Sequence, residues 1–132
     1  MAVKIVAMDD DGDILRMVRL KLRGAGFEVL TAANGQIGID LTISEKPDII
    51  IVDVMMPEKD GYQVLAEVRE RMAEDAPLAI LLTSKSEPSD IAKGISFGAS
   101  DYIVKPFSPC ELVERVNLVL IKAGKAPGKA KP

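Results

Sequence analysis

Four apolar runs of the chain each end in a side chain that can take part in chemistry. These end residues are the acid pair Asp9-Asp10, Asp53, Thr83 and Lys105. A run that is apolar at every position is typical of a strand buried on both faces, as in a parallel sheet. Parallel strands end at one edge of their sheet, where open α/β sheets bind ligands. We therefore expect these side chains to lie close together at that edge.

Three carboxylates at one point repel one another, and each then favours its protonated form. A hard divalent cation resolves this conflict, because Mg²⁺ takes carboxylate oxygens as ligands and keeps waters that a phosphate can displace. Lys105 adds a positive charge, and Thr83 adds a hydroxyl. A carboxylate nucleophile, Mg²⁺, a lysine and a hydroxyl together predict phosphoryl transfer, with Asp53 as the reactive carboxylate.

The elements that must position these residues alternate along the chain. Strands are predicted at residues 4–8, 27–31, 49–53, 78–82 and 102–104, and a helical pattern follows each of them. Strands that alternate with helices form a parallel sheet with helices on both faces, joined by right-handed crossovers. The predicted fold is therefore α/β, a doubly wound five-stranded parallel sheet. We see no internal repeat and no second domain.

Apolar spacing and capping residues indicate how the helices are placed. Ile37 in the second helix and Ile95 in the fourth are expected to face the core. Asp11 is expected to cap the first helix, since acids favour helix N-termini. Asp60 is interpreted as a turn residue before Gly61.

Composition excludes several classes of function. The 132 residues are 48% apolar, which suits one globular domain, and the only aromatics are three Phe and two Tyr. No apolar run approaches the roughly 20 residues of a membrane span, and the N-terminus lacks the pattern of a signal peptide. The single cysteine excludes an internal disulfide. These features predict a cytoplasmic protein with no membrane partner.

Charge is unevenly spread along the chain. Residues 1–121 hold 13 basic and 20 acidic side chains, while residues 122–132 hold four lysines and no acid. An acidic body argues against direct nucleic-acid binding, since phosphate backbones require clustered Lys and Arg. The chain has no histidine, so it lacks the commonest general base and any phosphohistidine chemistry of its own.

In this order and spacing, the residues resemble the receiver domain of a two-component response regulator, of the chemotaxis-regulator kind. The resemblance covers residues 3 to about 122. It rests on the acid pair Asp9-Asp10, on Asp53 followed by Met55-Met56-Pro57 and Asp60-Gly61, on Thr83 at 30 residues from Asp53, and on Lys105-Pro106 at 22 residues from Thr83. It implies a flavodoxin-like (βα)5 fold with strand order 2-1-3-4-5, a receiver domain at residues 1–122, and a flexible basic tail or the start of a linker at 123–132.

The resemblance also implies a function. A partner phosphohistidine, on a sensor histidine kinase or a histidine phosphotransfer protein, would donate a phosphoryl group to Asp53. The surface formed by residues 87–121 would then switch and control a downstream protein partner, and whether phosphorylation also makes a dimer is left open. No enzymatic activity is expected beyond the chain's own phosphotransfer and autodephosphorylation.

The same resemblance implies a set of metal ligands. Asp10, Asp53 and the backbone carbonyl of Met55 would bind Mg²⁺ directly, and Mn²⁺ would serve in its place. Asp9 would act on the metal through a water molecule.

A second set of residues would contact and read the phosphoryl group. Thr83 would hydrogen-bond it, Lys105 would pair with it, and the Lys105-Pro106 peptide would be cis, which proline allows at low cost. Tyr102 matches the family's switch aromatic, which turns inward when Thr83 moves toward the phosphate.

Two further positions would flank the route of an attacking water. They are Met55, two residues after Asp53, and Lys85, two residues after Thr83. We expect this pair to affect the dephosphorylation rate, in a direction that the sequence does not give.

Two alternatives stand beside this reading. A magnesium-dependent phosphatase with an aspartyl-phosphate intermediate usually has a second acid two residues after its nucleophile, and Met55 at that position transfers no proton. A flavodoxin-like cofactor binder would need Gly, Ser and Thr in its phosphate loop, where this chain has Asp9-Asp10-Asp11.

The extent of the chain leaves a third choice open. The chain is expected to be a stand-alone regulator acting by protein contact, since its elements begin and end compactly. The alternative is a piece cut from a longer regulator at the Gly, Pro and Lys tail.

Overall fold

The computed structural model describes residues 2–84 and 88–125. Its strands are β1 (Lys4–Met8), β2 (Glu28–Ala32), β3 (Ile49–Asp53), β4 (Leu78–Thr83) and β5 (Asp101–Val104). Its helices are α1 (Gly12–Gly24), α2 (Gly35–Glu45), α3 (Gly61–Met72), α4 (Pro88–Ser96) and α5 (Pro109–Lys122), and a short 3₁₀ turn spans Ala73–Asp75. Strands and helices alternate as predicted, and every strand boundary lies within one residue of its predicted place.

The five strands form one parallel sheet in the order β2-β1-β3-β4-β5. This arrangement confirms the doubly wound, flavodoxin-like fold and its strand order. The neighbouring interior strands β1 and β3 are apolar except for Lys4 at the start of β1 and Asp53 at the end of β3, and none of their residues is exposed. Asp9 directly follows β1 and Asp53 ends β3, so both acids lie at the same edge of the sheet.

The core has two halves, one on each face of the sheet, because successive strand residues point to opposite faces. Ile5, Ile49 and Ile51 belong to the half covered by α1 and α5. Val6 and Ile50 belong to the half covered by α2 and α3. Strands of this kind are apolar at every position because both of their faces are covered by helices.

The prediction was wrong for two helix residues. Ile37 on α2 and Ile95 on α4 are exposed, although their spacing placed them in the core. Each helix approaches the sheet closely at a glycine: a Cβ on Gly38 would lie 2.2 Å from Sδ of Met8, and one on Gly94 would lie 2.7 Å from Cδ1 of Leu81. On α2 the buried apolar residue is Ile39, next to Gly38. A glycine contributes no apolar signal to the sequence, so apolar spacing misses a face that depends on close backbone approach.

Helix N-termini are fixed by side chains that accept backbone hydrogen bonds. Asp11 caps α1, as predicted, by accepting from Asp13 and Ile14. Asp60 is not a simple turn residue, because it forms a capping box with Gln63 at the start of α3. Asp60-Gly61 fits a turn equally well, and only the reciprocal Gln63 three residues later indicates a capping box. Among the described helices, none has the length and apolarity needed to cross a membrane.

Candidate functional site

The predicted end residues do meet at the carboxyl edge of the sheet. Asp53 ends β3 beside Leu82 of β4, and Thr83 ends β4 beside Val104 of β5. Asp9 is 1% exposed and Asp53 is 4% exposed. The edge therefore holds two carboxylates that are almost completely removed from water.

Lys105 links the two buried carboxylates. Its Nζ lies 3.0 Å from Oδ2 of Asp9 and 3.2 Å from Oδ1 of Asp53. The backbone of Lys105 is fixed as well, because its N–H donates to the carbonyl of Thr83 at 2.7 Å. The sequence placed Lys105 at this edge, but its contact with Asp9 was not predicted.

The protonation of this cluster is shifted by burial and by charge. Burial, and next the charge of Asp9, raises the pKa of Asp53 to about 6, although Lys105 opposes the rise. Burial disfavours the charge on Lys105, but its hydrogen bond to Asp9 and the charges of both acids outweigh that effect, so its pKa lies above the ordinary value. The site thus contains more buried negative charge than one lysine neutralises.

Asp10 completes a group of acids that suits a divalent cation. One carboxylate oxygen from each of Asp9, Asp10 and Asp53 lies within 4.8 Å of the others, and Asp10 is exposed while the other two are buried. The donors are all oxygens, as Mg²⁺ requires, and the exposed side leaves room for the waters that Mg²⁺ keeps. Burial and the charge of Asp9 both raise the pKa of Asp53, so a further positive charge would stabilise the ionised cluster. The residues therefore fit the ion.

The loop after Asp53 is tied back to the strand. The N–H of Met55 donates to Oδ1 of Asp53 at 3.4 Å, and the N–H of Gly61 donates to the carbonyl of Val54 at 2.9 Å. The Met55 side chain is exposed at the rim of the site. Glu58, at the tip of the loop, has a φ of 68°, in the left-handed region that a residue with a Cβ seldom adopts.

A small pocket lies between the carboxyl edge of the sheet and α4. It lies beside Thr83 and is bounded by Tyr62, Gly94 and Tyr102, with Asp90 and Asp101 at its rim. Tyr102 itself is half-buried. The sequence prediction included Thr83 and Tyr102 here but missed Tyr62, although its position directly after Asp60-Gly61 was a usable signal.

Two other predicted features concern Lys105-Pro106 and Lys85. The Lys105-Pro106 peptide is cis, as expected. Lys85, paired with Met55 in the dephosphorylation hypothesis, lies outside the described residues.

The fold and the site together define a flavodoxin-like α/β domain with an acidic pocket at the carboxyl edge of its sheet. The sequence matches the model of the response regulator receiver domain over residues 5–117, and the chain belongs to that family. Receiver domains bind Mg²⁺ at such an acidic pocket, and they work with a histidine kinase and a downstream effector.

Individual relatives agree with this assignment. The chain is 43% identical over 122 residues to a probable transcriptional regulator, ycf27, of Porphyra purpurea, covering 92% of this chain and 49% of that protein. The chain thus spans about half the length of the curated relatives it matches.

Solved structures of receiver domains are also similar. The chemotaxis response regulator CheY4 of Vibrio cholerae superposes with a TM-score of 0.86 at 33% identity, covering 91% of this chain and all of that one. The BeF3-activated receiver domain of DrrB, from Thermotoga maritima, superposes with a TM-score of 0.80 at 36% identity, covering 92% of this chain and 99% of that one.

Proposed function

We propose that this chain is a phosphorylation-activated receiver whose phosphoacceptor is Asp53. The observation that carries the proposal is the Lys105 ammonium, which lies between the buried carboxylates of Asp9 and Asp53. The donor is a phosphohistidine on a sensor histidine kinase or a histidine phosphotransfer protein. A cytoplasmic location follows, since that is where the ATP that charges a histidine kinase is found.

Asp53 acts as the nucleophile. One of its carboxylate oxygens forms a bond to phosphorus while the bond between phosphorus and the donor's imidazole nitrogen breaks, and the electron pair returns to the imidazole. The attack requires the ionised carboxylate, which Lys105 favours over the neutral form. Lys105 and the Thr83 hydroxyl would contact oxygens of the transferred group, since both lie at the same edge as Asp53.

Asp10 and Asp53 would hold Mg²⁺ directly and Asp9 would act through a water molecule, with the Met55 carbonyl as a further direct ligand and Mn²⁺ as a substitute ion. The ion would neutralise negative charge that accumulates as the phosphoryl group arrives. The chain's own part is to hold the three carboxylates within reach of one another and to leave the Asp10 side open to solvent.

The chain would not turn over external substrates. A phosphatase of this type needs a proton donor near its nucleophile, and the residue two positions after Asp53 is Met55, whose exposed thioether has no proton to give. Loss of phosphate would then depend on water alone, at a rate set partly by Met55 and Lys85.

The phosphorylated state would be read at the surface of residues 87–121. Thr83 and Tyr102 border the pocket under α4, so a shift of Thr83 toward the phosphate opens space into which Tyr102 turns. This surface would then control a downstream protein partner, without direct nucleic-acid or membrane contact by this domain. Dimerisation on phosphorylation is a further outcome to be measured.

The test uses acetyl phosphate with Mg²⁺ and intact-mass spectrometry, because the chain has no tryptophan to report the change by fluorescence. Wild type and Asp13→Asn, a control that removes an exposed acid of α1, should each gain one phosphoryl group. Asp53→Asn should gain none. Equal labelling of wild type and Asp53→Asn would show that Asp53 is not the acceptor.

A further inference from the structure

Tyr62 and Lys93 make a contact that the proposed phosphotransfer chemistry does not use. Tyr62 is the second residue of α3 and is almost fully buried. Lys93 Nζ, from α4, lies 4.5 Å from the centroid of the Tyr62 ring, within the range of a cation–π interaction. The Phe97 ring, just past the end of α4, lies 5.6 Å from the Tyr62 ring. Two side chains of the α4 region therefore contact one ring of α3.

The start of α3 is fixed to the phosphoacceptor strand. A Cβ on Gly61 would lie 2.8 Å from the carbonyl oxygen of Asp53 and 2.9 Å from Cα of Val54. Tyr62 follows Gly61 directly, so its backbone has little freedom to move relative to Asp53. The Tyr62 ring is thus a fixed point from which the position of α4 can be held.

The same ring forms one wall of the pocket that reaches Thr83 and Tyr102. Gly94 of α4 lies opposite, where an added Cβ would be 3.9 Å from Cε1 of Tyr62. A Tyr102 ring that turns into this pocket enters the space between α4 and Tyr62. The contact of Lys93 with Tyr62 therefore opposes the movement of α4 that makes room for Tyr102.

We propose that the Tyr62–Lys93 contact is a latch that holds α4 in the arrangement seen here and is released when Asp53 is phosphorylated. This inference rests on the proposed function, because it assigns the latch to the resting state of that switch. Removing the latch destabilises the resting state alone and thereby shifts the population toward the state that binds a phosphoryl group.

Distances support release by a small movement. Cation–π attraction is significant within about 6 Å of the ring centroid, and helix shifts in switching proteins are about 1–2 Å. A contact at 4.5 Å is therefore close enough to stabilise the resting state, and a shift of more than about 1.5 Å away from the ring, within that range, moves Nζ beyond the limit. A latch of this strength, about 0.5–1 kcal/mol, changes the affinity of the activated state for its ligand by about two- to fivefold.

The experiment is a double-mutant cycle read by beryllofluoride binding with Mg²⁺, measured by fluorine NMR titration. Lys93→Met removes the charge and keeps the length of the side chain. Tyr62→Phe keeps the ring for Lys93, whereas Tyr62→Leu removes it. Lys122→Met, at the end of α5, removes one positive charge elsewhere and serves as the matched control.

Lys93→Met should bind beryllofluoride about two- to fivefold more tightly than wild type, while Tyr62→Phe and Lys122→Met should match wild type. Lys93→Met should have its full effect in the Tyr62→Phe background and little effect in the Tyr62→Leu background.

Unchanged affinity of Lys93→Met would overturn the latch and leave the proposed function standing, and so would an equal effect in the two Tyr62 backgrounds. A wild-type protein that binds no beryllofluoride would overturn the proposed function and the latch together. If Tyr62→Leu does not fold, the beryllofluoride affinities of Lys93→Met and Lys122→Met are compared instead, and equal affinities would overturn the latch.

Discussion

At the scale of single residues, two lysines each lie between two acids but differ in their surroundings. Lys4 contacts Glu28 and Glu45 at the surface, and Lys105 contacts Asp9 and Asp53 at the edge of the sheet. The exposed carboxylates around Lys4 are hydrated, so they gain little from the lysine. The acids around Lys105 are buried and have little water to stabilise their charge. The ionised state of Asp9 and Asp53 at the edge therefore depends on Lys105.

The raised pKa of Asp53 predicts a pH-dependent stability in the absence of divalent cations. The folded protein binds the Asp53 proton up to about pH 6, whereas the unfolded chain releases it near pH 4. The stabilisation that protonation gives is thus complete below about pH 4 and is lost as the pH rises through 6. We expect wild type to lose about 1–3 kcal/mol of unfolding free energy relative to Asp53→Asn between pH 4 and pH 7. Urea unfolding of both proteins across this range measures the difference.

The same comparison has a clear contrary result. Parallel pH profiles for wild type and Asp53→Asn would mean that Asp53 has an ordinary pKa in the folded protein. Interactions besides the one with Lys105 would then offset the effect of burial on the pKa of Asp53.

At the scale of elements, the approach of α3 to β3 depends on one glycine. Gly61 lies against the backbone of Asp53 and Val54, and these atoms cannot move aside as a flexible side chain does. Gly24, the last residue of α1, has nothing within 4 Å of an added Cβ. The two glycines therefore predict opposite responses to the same substitution.

Gly61→Ala should lower the free energy of unfolding by about 1–3 kcal/mol, because the added carbon overpacks the contact with β3. It should also weaken beryllofluoride binding, since it displaces the loop between Asp53 and α3. Gly24→Ala should raise the free energy of unfolding by up to about 1 kcal/mol, because alanine has the better helix propensity. Urea unfolding and beryllofluoride titration check both variants, and a loss at Gly24 equal to that at Gly61 would contradict this account of the fold.

Sequence patterns predicted elements with long apolar runs and missed contacts made by small groups. The strand ends at Asp53, Thr83 and Lys105 were predictable because a charge or hydroxyl after a buried run has only one edge to occupy. The inward faces of α2 and α4 were not, because each includes a closely packed glycine, Gly38 or Gly94, that adds no apolar signal to the sequence. Pairing between distant residues, such as Lys105 with Asp9, also leaves no local pattern in a single sequence.

At the scale of the whole molecule, the acidic edge joins segments that are far apart in the chain. Asp9 and Asp10 follow β1, and Asp53 ends β3, so a ligand shared by them connects two neighbouring interior strands of the sheet. Such a ligand binds the folded protein and has no preformed site in the unfolded chain. Its binding energy is therefore available to stabilise the whole fold.

Mg²⁺ should accordingly raise the free energy of unfolding, by about 1.4 kcal/mol for each tenfold increase above its dissociation constant. Asp10→Asn removes a carboxylate from the cluster and should lose most of this response. Asp13→Asn removes the same charge from a side chain that is 91% exposed and should keep it. Urea unfolding over a series of Mg²⁺ concentrations, at constant ionic strength, separates the two cases. If Asp10→Asn and Asp13→Asn respond alike, Mg²⁺ acts by general screening of an acidic body, and the carboxyl edge is not its site.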